Sequence, residues 1–153
     1  MKILVDADAC PVKDIIIDVA EERRIPVIMI MDTSHPWQYE GTYQNVKVMT
    51  EDKARDGVDI ALINLTNKND IVVTQDYGVA AMALGKGAKA LNQNGLIFSS
   101  KNMDKLLFER HLGQRIRRAG GRTKNPRKRT KEDDERFLKA LLIVIDEIGE
   151  AKE

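Results

Sequence analysis

The stretch Ile71-Val72-Val73-Thr74-Gln75-Asp76 decides the architecture. Three β-branched apolar residues, opened by the turn-forming Asn67-Lys68-Asn69-Asp70 and closed by polar ones, read as a short strand buried on both faces. Such strands belong to parallel sheets covered by helices on either side. Lys2–Val5 has the same character and ends at Asp6, and Val27–Met31 is a third apolar run, bounded by Asp32-Thr33-Ser34. Val46–Met49 and Ala88–Leu91 read as two further short strands. Between them lie helical spacings. Pro11 suits a first helical turn, followed by Ile15, Ile16, Val19 and Ala20 through about Arg23. Lys53 to Thr66 and Gly78 to Leu84 supply two more helices, the latter stopped by Gly85 and Gly87.

Beyond Ser99 and Ser100, which suit helix caps, Met103, Leu106, Leu107 and Leu112 support a fourth helix, broken at Gly120-Gly121. A last helix opens on Glu132-Asp133-Asp134-Glu135, acids that suit a helix N-terminus. Its apolar stripe reads Phe137, Leu138, Leu141, Leu142, Ile145 and Ile148. Strands alternating with helices imply βαβ units. The expectation is one α/β domain over 1–153, a three-layer α/β/α arrangement with a mostly parallel central sheet of about four to five strands.

The 153 residues are 42% hydrophobic and 32% charged, too apolar for a disordered chain, and no run reaches the ~18 apolar residues of a membrane span. The first residues are a strand followed by acids rather than a signal peptide. The single Cys10 excludes a disulfide framework and a multi-cysteine zinc site. A cytoplasmic protein is the reading these features leave. The net charge of +1 conceals a segregation. From Arg110 to Lys131 there are ten basic residues and no acid, so the remainder carries fifteen basic against twenty-four acidic residues, a net of −9. An acidic body with a basic arm suggests a polyanionic partner. The candidate phosphate-gripping residues are Arg115, Arg117, Arg118, Arg122, Lys124, Arg127, Lys128 and Arg129, although a solvated, mobile loop would carry the same charges.

Sites in open α/β sheets form at the carboxyl ends of the strands. Two of the best strands end in acids there, at Asp6-Ala7-Asp8 and at Asp76, and Asp56 and Asp59 stand at the start of the middle helix. Converging carboxylates make an oxygen-rich site suited to Mg²⁺ or Mn²⁺, and such a cluster serves phosphoester hydrolysis. The plainer readings are turn and cap roles: Asp6 and Asp8 capping the Pro11 helix, Asp56-Gly57-Val58-Asp59 as a capping box, Asp76 as a loop acid. On a helical wheel the stripe Ala54, Val58, Ala61, Leu62, Leu65 lies opposite Asp56 and Asp59, and only Ile60 and Ile63 share the acids' side. His35 follows the second strand and reads as exposed, and Trp37 as packing. Cys10 reads as a small hydrophobe, and Gly85-Lys86-Gly87 lacks the flanks of a phosphate-binding loop.

Asp6-Ala7-Asp8-Ala9-Cys10-Pro11 with Lys13, Asp56-x-x-Asp59, Asp70 to Asp76, Gly87 to Asn92, Gly120-Gly121 and Asp134-x-x-Arg136-Phe137 together resemble the YaiI/YqxD family of bacterial proteins. The resemblance covers nearly the whole chain and departs after Asp76, where Tyr77-Gly78 replaces a frequent Ile-Pro. The family is uncharacterised biochemically and grouped with PIN-like domains, many of them Mg²⁺- or Mn²⁺-dependent nucleases. Carried over, that grouping implies Asp6, Asp59 and Asp76 as principal residues, with Asp8 and Asp56 as supporting metal ligands. The expected activity is a metal-dependent nuclease acting on nucleic acid, RNA before DNA. Two alternatives stand beside it. One is a haloacid-dehalogenase-type phosphatase using Asp6 as nucleophile and Asp8 as acid/base, with Thr33 or Ser34 on phosphate. The other is a non-catalytic RNA- or ribosome-binding module.

Overall fold

The computed structural model describes residues 1–8, 10–32, 43–51, 57–121 and 127–152. Strand β1 (Ile3–Asp6) leads through helix α1 (Lys13–Arg23) to β2 (Val27–Asp32), which pairs with β3 (Val46–Glu51). Helix α2 (Gly57–Leu65) then crosses to β4 (Ile71–Val73), and α3 (Tyr77–Gly85) to β5 (Lys89–Leu91). The chain turns into β6 (Ile97–Phe98) and closes with α4 (Ser100–Arg118) and α5 (Lys131–Lys152). The sheet order is β3-β2-β1-β4-β5-β6, parallel throughout except for the antiparallel β5–β6 pair.

Among the described residues the sheet has six strands, where four to five were expected. The addition is β6, two residues long, which carries no periodicity and exists because the Asn92–Leu96 turn returns it onto β5. Gly95 makes that turn at φ +85°, and a Cβ there would lie 2.7 Å from the Arg136 carbonyl oxygen of α5.

Both faces of the sheet are covered, as near-continuous apolar strands require. Ile3 and Val5 of β1 pack with Ile16 and Val19 of α1 and with Phe137, Leu141 and Val144 of α5. Leu4 points to the other face, against Leu62 of α2, Val79 and Ala83 of α3, Phe98 and Met103. On α5 the buried stripe is Phe137, Ala140, Leu141, Val144, Ile145 and Ile148, while Leu138 is 37% exposed, so the stripe sits slightly rotated from the expected one. On α2 only Leu62 is fully buried, and Val58, Ala61 and Leu65 are half-covered.

Several local expectations hold. Helix α4 opens on a Ser99 capping box with Asn102 and ends at Arg118, before Gly120-Gly121. The first nine positions of the basic run are thus helical rather than loop. Pro11, expected in the first helical turn, lies instead in the turn before α1, because the helix opens only at Lys13, after the N-cap Val12, which offers no side-chain acceptor. Asp70 is buried at the base of β4, where it accepts from the Lys2 backbone N–H at 3.1 Å and ammonium at 2.6 Å, and from the Asn67 N–H at 2.8 Å. No helix among the described residues is long and apolar enough to cross a membrane.

Candidate functional site

The crossovers leave β1 in opposite directions. β2 and β3 lie on one side of it and β4, β5 and β6 on the other. α1 and α2 correspondingly pack on opposite faces of the sheet. This reversal opens a crevice beyond the carboxyl ends of β1 and β4, the place where ligands bind in open α/β sheets.

Acids occupy that edge. Asp6 ends β1, half-buried, and its carboxyl is pushed up to about 6 from 3.8. Burial is the largest cause, followed by the charges of Asp59 and Asp8, with a smaller push from Asp76, while a hydrogen bond from Thr74 opposes them. Three predicted residues, Asp8, Asp59 and Asp76, thus lie within electrostatic reach of a fourth, Asp6, although the four come from three separate segments. Asp56 lies outside the described residues, as do Thr33, Ser34, His35 and Trp37.

Each carboxylate has a local structural role too. Asp8 accepts from the Asp32 backbone N–H at 3.0 Å, tying the turn after β1 to the end of β2. Asp76 is the N-cap of α3, accepting from the Val79 N–H at 3.1 Å. Asp59 sits in the first turn of α2. No side-chain cap serves α1, so the capping role foreseen for Asp6 and Asp8 is absent. The Thr74 hydroxyl, buried, donates to Asp6 Oδ2 at 3.4 Å and accepts from the Asp76 N–H at 3.0 Å.

Asp32 is the residue that sequence reasoning passed over. It is buried at the end of β2, in register with Glu51 at the end of β3. Its signal was the one that marked Asp6, an acid closing an apolar strand. Cys10 is half-buried and burial pushes its thiol up, so it is a poor source of thiolate.

The donor set is all carboxylate oxygen, with Thr74 beside it, and fits a hard divalent cation by chemistry. Among the described residues, however, no three His, Cys, Asp or Glu side chains are gathered closely enough to hold an ion between them. Asp8 and Asp76 are held by backbone N–H groups of Asp32 and Val79.

Between α2 and α3 the edge continues into a cavity of about 410 Å³ lined by Asp59, Ile60, Ile63, Asp76, Val79 and Met82. Ile60 and Ile63 share the acids' side of α2, as the wheel required.

The basic segment divides. Arg127 donates to both oxygens of Asp133, at 3.0 and 2.5 Å, and Arg136 and Thr130 converge on the same carboxylate. These contacts hold the Asp133 carboxyl well below the usual range, the Arg127 hydrogen bond being the largest cause. Arg129 donates to Asp134 at 2.7 Å, Asn94 Oδ1 at 2.9 Å and the Gln93 carbonyl at 2.8 Å. Gln93 in turn bonds the side chain of Gln75, next to Asp76. Arg127 and Arg129 therefore anchor the root of the segment, while Arg115, Arg117, Arg118 and Lys128 stand exposed. Arg122 and Lys124 lie outside the described residues.

The uncharacterised YaiI/YqxD family pattern matches residues 4–147. The chain belongs to the YaiI/YqxD family. A UPF0178 protein of Ruminiclostridium cellulolyticum is 68% identical to this YaiI/YqxD chain over 145 residues, 95% of this chain and 92% of the relative. One from Clostridium acetobutylicum is 53% identical over 143 residues, 92% and 94% of the two chains. Among solved structures, Rae1 (YacP) from Bacillus subtilis superposes on this YaiI/YqxD chain with a TM-score of 0.44 and 17% identity, over 99% of each chain.

Proposed function

We propose that the protein is a divalent-metal-dependent, PIN-like phosphodiesterase acting on nucleic acid, RNA before DNA, in the cytoplasm. The observation that carries this reading is the state of Asp6: a half-buried carboxylate at the switch point whose proton affinity is raised first by burial and then by three further acids. Carboxylates crowded together without a cation resist ionisation, and a bound ion resolves the conflict.

Asp6, Asp59 and Asp76 would hold Mg²⁺ or Mn²⁺, with Asp8 and Asp56 in support. When bound, the ion supplies Lewis acidity and a water made acidic enough to attack at neutral pH. The protein's own part is to hold the acids in place. Thr74 orients Asp6 and Asp76 together, Asp8 ties the turn after β1 to β2, and Arg129 roots the basic segment beside Gln93, close to the edge. Arg115, Arg117, Arg118 and Lys128, with Arg122 and Lys124, would grip phosphates. Replacing two of them lowers the slope of log affinity against log salt by about 1.4 to 1.8.

The test is cleavage of single- and double-stranded RNA and DNA in Mn²⁺ and Mg²⁺ by wild type and Asp6→Asn. Cutting that disappears in Asp6→Asn supports the reading; no cutting, or cutting retained in that variant, refutes it.

A non-catalytic RNA- or ribosome-binding module is favoured by one specific observation, the spread of the described acids beyond shared ligation of one ion. Calorimetry separates the two, since RNA affinity without any Mn²⁺ or Mg²⁺ binding selects the module.

A further inference from the structure

Lys13 belongs to the opening acid motif and has no task in the reading above. It is one of three half-buried lysines among the described residues. The other two face carboxylates, Lys2 on Asp70 at 2.6 Å and Lys89 on Glu147 at 3.8 Å. Lys13 meets no carboxylate among the described residues. Its ammonium donates to the Cys10 carbonyl at 3.4 Å, a long bond that uses one of three N–H groups. A half-covered ammonium without an oxyanion is an unfavourable arrangement. This one also stands in the first turn of α1, where the helix dipole disfavours a cation.

The fold explains where that charge is held. The Ala7 N–H donates to the Ile30 carbonyl at 3.0 Å, and the Cys10 N–H turns back to the Ala7 carbonyl at 3.3 Å. Lys13 is therefore fixed on the turn that carries Asp8, immediately beyond the end of β1. Acids gather along this edge, yet none of them forms an ion pair with it. At Asp6 it is the Thr74 hydroxyl, not a cation, that opposes the rise in proton affinity. The Cys10 thiol, by contrast, lies within electrostatic reach of Asp6 and of two cations, Lys13 and Arg129. Arg129 comes from the root of the basic segment, and Lys128 stands exposed next to it in the chain.

We propose that Lys13 binds a backbone phosphate of the substrate strand next to the one that meets the acids, continuing the phosphate track of the basic segment up to the site. This deepens the nucleic-acid reading above and rests on it. An ammonium is a compact point charge with rotatable donors, suited to a phosphate oxyanion. Because it acts on Cys10 rather than on Asp6, it serves a neighbouring phosphate and not the one beside the ion. The substrate class that follows is a polynucleotide strand with at least two successive phosphates, rather than an isolated phosphodiester.

Binding and cleavage test this separately. Anisotropy of a labelled oligouridylate in EDTA, over a range of salt, needs neither metal nor cutting. Lys13→Gln should weaken binding at least about tenfold and lower the slope of log affinity against log salt by about 0.7, the value for one contact on a single strand. Lys13→Arg should keep both. An unchanged slope in Lys13→Gln overturns the proposal, and a lower melting temperature beside it would make Lys13 a brace for the turn. With Mn²⁺, Lys13→Gln should lose at least about tenfold in kcat/KM on the oligouridylate and nothing on bis(p-nitrophenyl) phosphate, whose single phosphate meets only the acids. An equal loss on both substrates overturns it as well. If wild type cuts neither, the nuclease reading fails and the salt slope decides the Lys13 contact.

Discussion

The Thr74 hydroxyl reaches Asp6 Oδ2 across 3.4 Å, joining the ends of two parallel strands 68 residues apart in sequence. Its single proton goes to Asp6, so its lone pairs are left for the Asp76 N–H, and one side chain sets the spacing of two acids. Thr74→Val removes both bonds. The Asp6 midpoint, followed by carboxyl ¹³C shifts, should then rise above about 6, because the bond from Thr74 lowers it. Stability should fall by about 1 kcal/mol, as the partly buried Asp76 N–H loses its acceptor. An unmoved Asp6 midpoint would show that the hydroxyl has no hold on the acid.

Asp6 makes stability depend on pH. Its folded carboxyl keeps a proton up to about 6, whereas an unfolded one releases it near 3.8. Between these values the native state binds more protons, so stability falls as pH rises from about 4 to 6 and stays lower above. After allowance for partial solvent screening the loss is about 2 kcal/mol. Asp6→Asn should therefore melt higher than wild type at pH 7, with the difference vanishing near pH 4. Millimolar Mg²⁺ or Mn²⁺ should raise the wild-type melting temperature at pH 7 and leave Asp6→Asn unmoved.

Asp133 works in the opposite direction. Its carboxyl is held below the usual range by Arg127 and the Thr130 N–H. The stabilisation it gives is present above about pH 4 and lost as pH falls below that, toward its own lower value. Asp133→Asn should lower the melting temperature at neutral pH, flatten the acid limb of the stability curve, and strip hydrogen-exchange protection from the Thr130 amide.

Gly95 tests the turn that creates β6. With φ at +85° and the Arg136 carbonyl 2.7 Å from any Cβ, Gly95→Ala is both strained and obstructed. It should cost at least about 1–3 kcal/mol, read as a drop in denaturation midpoint without a change in slope. A neutral alanine would mean that the turn and α5 separate freely.

The strands β1, β2 and β4 were legible because burial on both faces demands continuous apolar runs, which any sequence displays. The acids at their ends were legible for a related reason, since charge beside such a run stands out. Local rules likewise located the Ser99 cap and the end of α4. Asp32 shows the limit, because an acid after an apolar run reads equally as a strand boundary, and only burial of its position against Asp8 separates the two. β6 shows another, since two residues carry no period.

What the amino-acid order determined by itself was the alternation of strand and helix, the acidic strand ends and the segregation of a basic run, all of them properties of neighbouring residues. The tertiary structure alone decided that Asp6, Asp8, Asp59 and Asp76 share one edge, that Arg127 and Arg129 are anchors, and that α4 turns an apolar ridge to water. Those facts depend on strand order and on which helix covers which face, and long-range packing sets them between residues that no local pattern connects.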